Sequence, residues 1–265
     1  MLYFVKKIKL TFRFYFLILV GLIRLDFQKN KLLIFNYHNF NNSKNYYDEM
    51  FVNFDNFKKQ ITFFYKKNLL TSLNEIKNVK YKPCKKKILL TIDDADNSIQ
   101  SIIPIINELN IPIILFLPIG FVLDNTNIDY YRSICLHHYF FINKDVNLKK
   151  SKNKFFNRIM KYDIKKLKTL IEILSKKNLN KDYVVSRKKI SLDFINKLNQ
   201  FSNITLGSHS MSHVLLKKIP KNWLKWEVET SLNYIKKIHG DPSIFSIPFG
   251  NENSFSKEII QLLVE

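Results

Sequence analysis

Two adjacent carboxylates, Asp93 and Asp94, follow the apolar run Ile88-Leu89-Leu90-Thr91-Ile92, and two histidines four apart lie in His209-Ser210-Met211-Ser212-His213. Together these are the parts of a mononuclear metal hydrolase. Side chains alternate in direction along an extended strand, so two consecutive carboxylates leaving one diverge: one can face a metal ion while its neighbour faces a bound water. Histidines at i and i+4 share one face of a helical turn, a chelating spacing. Either half alone has a plainer reading. An Asp-Asp pair at a strand end commonly serves as a solvated turn or a helix cap, and a His-x-x-x-His pair commonly fills surface or core. The chemistry rests on their conjunction.

The elements that must position these residues alternate between strand-like and helix-like segments, the signature of an α/β architecture. Leu32 to Tyr37, Ile88 to Ile92, Ile113 to Leu117, Ile204 to Leu206 and Phe245 to Ile247 read as strands. Asp55 to Lys67 has helical spacing, with Phe57, Ile61 and Phe64 on one side, and Ser98 to Leu109 reads as a helix that tolerates Pro104 only in a first turn or at a kink. Ser191 caps a helix to Leu198, and Trp223 to His239 is a long amphipathic helix stopped by Gly240-Asp241-Pro242. Residues 124–188 form a Lys-rich insertion with helical stretches, to be read as a lid or a surface excursion. Each candidate functional residue falls at the C-terminal end of a strand, where the loops of parallel α/β folds gather an active site.

Around both halves the residues resemble the metal-dependent polysaccharide deacetylases, the NodB-homology fold. In that family a Thr-Phe-Asp-Asp-Gly motif ends one strand and a His-Ser/Thr-x-x-His motif follows another. An Arg-x-Pro-Tyr or relaxed x-x-Pro-Tyr/Phe-Gly motif lies nearer the C-terminus. This chain reads Thr91-Ile92-Asp93-Asp94-Ala95, then His209 to His213, then Ser246-Ile247-Pro248-Phe249-Gly250, in the family's order. Asn110 to Val122 is similar to the family's segment of helix, Ile-Pro, buried strand and Gly-Phe-Val. The resemblance runs from about residue 31 to the end, interrupted by residues 124–188. Three departures stand out. Ala95 replaces a glycine that tolerates unusual dihedrals. Ser246 stands where many members carry an arginine that orients the catalytic carboxylate. The C-terminal Leu-x-His motif, which supplies a general acid, is not found before Glu265, and an end short of that motif is compatible with a truncated gene.

The resemblance implies an irregular (β/α) barrel of about seven strands over residues 31–265, with its site at the C-terminal ends of the strands. It implies a divalent metal held by Asp94, His209 and His213, with Asp93 as the general base. Zinc suits that imidazole and carboxylate set best, and cobalt, nickel or iron would be accepted by the same ligands. By the same resemblance the backbone NH of Phe249 helps hold an oxyanion and Pro248 shapes the pocket wall. His38 follows the first strand in a Tyr-His pair that many members share; substrate contact, proton transfer and a plain loop hydrogen bond all stay open for it. The implied activity is removal of N-acetyl or O-acetyl groups from sugars of a cell-envelope polysaccharide or its precursor. An amide needs an activated water, a stabilised oxyanion and a proton for its nitrogen, and a metal with open positions contributes to the first two. A relative that binds carbohydrate without turnover is the alternative reading, prompted by Ala95, Ser246 and the unassigned acid.

Composition bounds these readings. At 265 residues and 31.7 kDa the chain can hold one barrel-sized domain with a full core. A formal charge of +21 would ordinarily raise nucleic acid or an anionic membrane as a partner. The excess lysine comes with abundant Asn, Ile, Phe and Tyr and few Gly, as an AT-rich genome produces without selection for charge, and no aromatic-interleaved basic motif appears. Nucleic acid is therefore not the expected partner. Cys84 and Cys135 are far apart, so two free thiols and one disulfide are both open. In residues 1–30, Lys6, Lys7 and Lys9 precede an apolar run from Phe14 to Ile23, about half the length of a membrane-spanning helix. An uncleaved anchor or signal, a helix in the membrane interface and a plainly packed helix all fit that pattern. Localisation stays open with it, between a bacterial-type envelope and the cytoplasm.

Overall fold

The computed structural model describes residues 32–40, 50–78, 87–143, 149–177, 188–252 and 254–264. The N-terminal segment 1–30 and Cys84 lie outside these. The chain runs β1 (Leu32–Tyr37), β2 (Asn39–Phe40), β3 (Phe51–Val52), α1 (Phe54–Lys66), α2 (Leu73–Asn78), β4 (Lys87–Ile92), α3 (Ile103–Glu108), β5 (Ile113–Leu117), α4 (Ile119–Val122), α5 (Ile128–Ile142), α6 (Lys149–Ile159), α7 (Ile164–Lys177), α8 (Leu192–Leu198), β6 (Ile204–Ser208), α9 (Lys221–Lys237) and α10 (Lys257–Val264). β1, β4, β5 and β6 form a parallel sheet in the order β1-β4-β5-β6, and β2 pairs with β3 beside it.

Period-2 alternation along these strands sorts the sheet's two faces. Ile88, Leu90 and Ile92 of β4, with Ile113, Leu115 and Leu117 of β5, join the large core formed with α1, α3 and α8. Leu89, Ile114 and Phe116 point the other way and make a small separate cluster. Along this second face β4 reads Leu89, Thr91, Asp93, passing from apolar to hydroxyl to carboxylate towards the strand's C-terminal end. β1 reads Ile34, Asn36, His38 on the same face, with Asn36 the register partner of Thr91.

Several local signals act as the residue types dictate. Asn53 caps α1 by accepting hydrogen bonds from the Asp55 and Asn56 amides at 2.9 and 3.3 Å. Phe57, Ile61 and Phe64 then fall on its buried face, with the Phe57 ring edge-on to Tyr37 and Phe40. Ser191 caps α8 through the Phe194 amide at 3.2 Å. Pro104 divides the expected Ser98–Leu109 helix into a 3-10 turn, Asn97–Ser101, and α3, taking a place in the first turn of α3 where no amide donor is required.

Other expectations are corrected. Among the described residues the main sheet has four strands of the about seven expected, with β2 and β3 paired beside it, and Phe245 to Ile247 contributes a single bridge, Ser208 to Phe245, instead of a strand. The described residues of 124–188 carry a buried face: Cys135, Leu136, Phe140, Phe156, Ile159, Leu167 and Leu174 make a second core with Trp223 and Val228 of α9. Cys135 is a free thiol there, and burial pushes it up to about 12. Trp223 is fully buried in that core. No helix among the described residues is long and apolar enough to cross a membrane.

Burial decides which residues of α1 carry stability. Phe57 is 1% exposed and Phe63 is 40% exposed on the same helix. Phe57→Ala is expected to cost about 3–5 kcal/mol in chemical denaturation, and Phe63→Ala only about 0.5 kcal/mol.

Candidate active site

Backbone hydrogen bonds lock each candidate residue to the end of a neighbouring strand. The Asp93 amide donates to Tyr37 O at 2.9 Å, His209 to Leu117 O at 2.8 Å and Ser246 to Ser208 O at 2.8 Å. Asp93 Oδ2 accepts from Asn36 Nδ2 at 2.9 Å and from the Ser246 hydroxyl at 3.2 Å, while Thr91 Oγ1 donates to Asn36 Oδ1 at 2.9 Å. An amide and a hydroxyl thus orient this carboxylate where the resemblance expects an arginine. Asn36 comes from β1 and Ser246 from beyond β6, so residues of the sheet's two outer edges meet on one oxygen and the sheet must curl to let them. Asp93 Oδ1 is buried and accepts no hydrogen bond.

After Asp93 the backbone turns sharply. Asp94 has φ 71° and Ala95 φ 52°, both in the left-handed region, which for an L-residue costs roughly 1–2 kcal/mol each. The glycine expected at residue 95 is replaced without loss of the turn. Ala95 is fully buried, its carbonyl accepts from the Ile190 amide at 3.0 Å, and Asp96 caps the following turn through the Ser98 amide at 2.9 Å. The turn takes Asp94 away from its strand's alternation and sets its Oδ1 3.6 Å from His209 Nε2 and 3.2 Å from His213 Nε2.

The histidines lie on a loop and not on the helical turn their spacing suggests; Ser210 has φ 66° and His213 φ 49°. Glu227 of α9 holds that loop. Its buried carboxylate accepts from the Met211 amide at 3.0 Å, the Ser212 amide at 2.8 Å, Trp223 Nε1 at 2.8 Å and the Ser212 hydroxyl. Burial pushes the Glu227 carboxyl up, against the pull of these four donors. From the other side the Ile119 and Gly120 amides of α4 donate to Ser210 O and Met211 O, both at 3.0 Å, and His137 Nδ1 of α5 donates to Ser212 O at 2.7 Å. Gly120 is required by this approach: a Cβ there would stand 2.6 Å from Met211 O and 1.9 Å from Ser133 Oγ.

Asp94, His209 and His213 are all buried, and their ligand atoms lie within 4.8 Å of one another, the one such cluster among the described residues. His209 Nδ1 donates to Ser246 O at 2.8 Å, which fixes the tautomer and leaves the Nε2 lone pair turned to the cluster. Asp94 Oδ1 accepts no hydrogen bond although it is buried. Burial works against ionising Asp94, but the adjacent His213, then His209 and Lys189, outweigh it and hold the carboxyl far below the usual range. Burial depresses His213, only partly opposed by Asp94, and it is the neutral imidazole that binds metal. Two imidazoles and a buried carboxylate oxygen that accepts no hydrogen bond are a donor set that fits a divalent ion.

A cavity of about 490 Å³ opens over the cluster. Phe141 of α5, Ile247 and Phe249 give it an apolar wall, and Asn36 and His38 line it with polar groups. Phe249 is 46% exposed, with φ 71° and its ring edge-on to His213 at 5.0 Å. Of the residues singled out in sequence, Asp93, Asp94, His38, His209, His213 and Phe249 converge on this cavity, while Pro248 is buried outside its lining. Asn36, Glu227, His137 and Phe141 were missed. Asn36 is two residues before His38 on an extended strand, and so legible by alternation; Glu227 and His137 reach the loop from α9 and α5 with no local signal.

Removing the Glu227 carboxylate would strand three buried N–H donors. Glu227→Ala should therefore lower stability by about 3 kcal/mol or more in thermal denaturation.

No protein-family model and no curated protein matches the chain. Solved structures do. The Streptococcus pyogenes deacetylase PplD, solved in complex with acetate, is similar at a TM-score of 0.57 and 14% identity, over 89% of this chain and 80% of that one. IcaB from Ammonifex degensii gives 0.57 and 13%, over 89% and 81%. BC0361, a polysaccharide deacetylase from Bacillus cereus, gives 0.55 and 14%, over 88% and 55%. The chain has the fold of these deacetylases.

Proposed function

We propose that this chain is a metal-dependent carbohydrate deacetylase, a hydrolase that removes N-acetyl or O-acetyl groups from sugars of a cell-envelope polysaccharide or its precursor. The observation that carries the reading is the buried set of Asp94, His209 and His213, whose ligand atoms face one another within 4.8 Å. It lies beside Asp93, whose Oδ1 is free, on the floor of an open cavity. The fold shared with solved deacetylases, one holding acetate and one called a polysaccharide deacetylase, supports the reaction class.

A divalent ion held by those three side chains, zinc by preference, would supply Lewis acidity and a readily deprotonated water. The remaining steps belong to the chain's own groups. Asn36 and Ser246 pin Asp93 Oδ2, so Oδ1 is presented in one orientation as the base that takes the water proton. The Phe249 backbone NH is available to a developing oxyanion, and the Phe141, Ile247 and Phe249 wall suits the acetyl methyl and an apolar sugar face. A volume of about 490 Å³ is ample for a sugar ring and its acetyl group. The basic and apolar residues 1–30 suit an anionic membrane surface, where a lipid-linked precursor would lie.

The test is acetate release from N-acetylglucosamine oligomers and O-acetylated glycans by zinc-supplemented protein. Wild type should release acetate, and Asp93→Asn should lower kcat roughly 10³-fold while still binding zinc. Undiminished release by Asp93→Asn, or none by wild type on any acetylated glycan, would contradict the reading.

A further inference from the structure

Resting on the proposed glycan substrate, we infer that the chain carries a second carbohydrate site, at the end of the sheet opposite the candidate active site, which holds neutral sugar rings without acting on them. A cavity of about 360 Å³ lies there. Its walls are segments that enter the strands. Leu70 bridges Ile88 near the start of β4, Pro112 precedes β5, and Ser202 and Asn203 precede β6. Ile88 and Asp93 stand at opposite ends of β4, which at the rise of a strand separates the two cavities by about 17 Å along the sheet.

The lining fixes the class of ligand. The chain has 43 Lys and Arg and none of them lines this cavity, so nothing there recognises a phosphate or a sugar acid. The ammonium of Lys87 is directed to the Asn68 and Leu70 carbonyls, each 3.4 Å away, and is not part of the lining. Histidine and cysteine are missing from it too, so it is no counterpart of the metal-ligand cluster. Glu75 is the one charge. The Thr71 hydroxyl at 2.6 Å, foremost, and the Ser72 amide at 3.2 Å donate to its Oε2 and hold the carboxyl below the usual range, so Glu75 acts as an acceptor.

The neutral groups are placed and uncommitted. Asn203 Nδ2 donates to Ile106 O at 3.2 Å and to Ile111 O at 3.0 Å, which fixes the amide plane and leaves Oδ1 as an acceptor. Asn68 and Asn110 follow α1 and α3 with φ 52° and 49°, and among the described residues neither side chain has a protein partner. Tyr65, in the last turns of α1, is 50% exposed, and among the described residues no hydrogen bond, ion pair or ring contact engages its side chain. A sugar ring has an apolar face of C–H groups and a rim of hydroxyls that donate and accept. The exposed tyrosine ring suits that face, and the Asn and Ser side chains suit the rim. A polymer held at this end raises its own effective concentration at the other.

The experiment titrates N-acetylglucosamine oligomers by calorimetry into zinc-loaded Asp93→Asn, chosen so that turnover is slow, alone and combined with Tyr65→Ala or Ser202→Leu. Tyr65 and Ser202 are exposed, so neither change touches the core, and melting temperatures matching the parent's check this. Two binding events are expected in the parent. Each added substitution should weaken one of them about 10-fold or more and spare the other. The affected event should persist in high salt, because its ligand is neutral. Affinities unchanged by both substitutions, or an affected event that salt abolishes, would overturn the site. A single event that both substitutions abolish would uphold it and count against the deacetylase reading. A single event that neither touches, or no binding, would overturn the second site and leave deacetylation to the acetate assay.

Discussion

Three ligand atoms facing one another in the interior without protein donors to satisfy them are the constraint on which the site depends. Burying a carboxylate and two imidazole lone pairs in this way costs several kcal/mol unless something else pairs with them. The structure meets that cost with a rigid surround. Asp94 is held by a turn with two consecutive left-handed residues, and the histidine loop is clamped by Glu227 behind it, α4 below it and His137 beside it. A site that collapsed when empty would need none of these supports. Second helices, second core and strand ends all serve to keep the cluster open and in register.

Ser246 links the two halves of the chemistry. Its hydroxyl bonds Asp93 and its carbonyl accepts from His209 Nδ1, so one residue orients both the proposed base and a proposed ligand. This explains how the chain does without an arginine at that place: Asn36, itself fixed by Thr91, supplies the second hydrogen bond to Asp93 from the opposite edge of the sheet. The exchange replaces a charge with two neutral donors.

Much of this was legible in the chain itself. The strands β1, β4 and β5, the cap at Ser191 and the buried stripe of α1 follow from periodicity and local hydrogen bonding, because each depends on neighbours a few residues away. The convergence of Asp93, Asp94 and the histidines follows from their common position at strand ends. What failed was what tertiary contact decides. The His-x-x-x-His spacing suggested a helical turn, but Glu227 holds the Met211 and Ser212 amides, and α4 the Ser210 and Met211 carbonyls, in a loop with left-handed residues. Phe245 to Ile247 has strand-like residues yet pairs at one bridge, and the Lys-rich 124–188 segment hides a buried face that its surface charge obscured.

The account stands most directly on metal occupancy, measured by elemental mass spectrometry on purified protein beside a His209→Ala, His213→Ala double variant. It requires no knowledge of the substrate. About one divalent ion per chain in the wild type, and none in a folded double variant, is the predicted result. A wild type that takes up no ion even after incubation with zinc, or a double variant that keeps it, would contradict the claim that these buried residues form a metal centre.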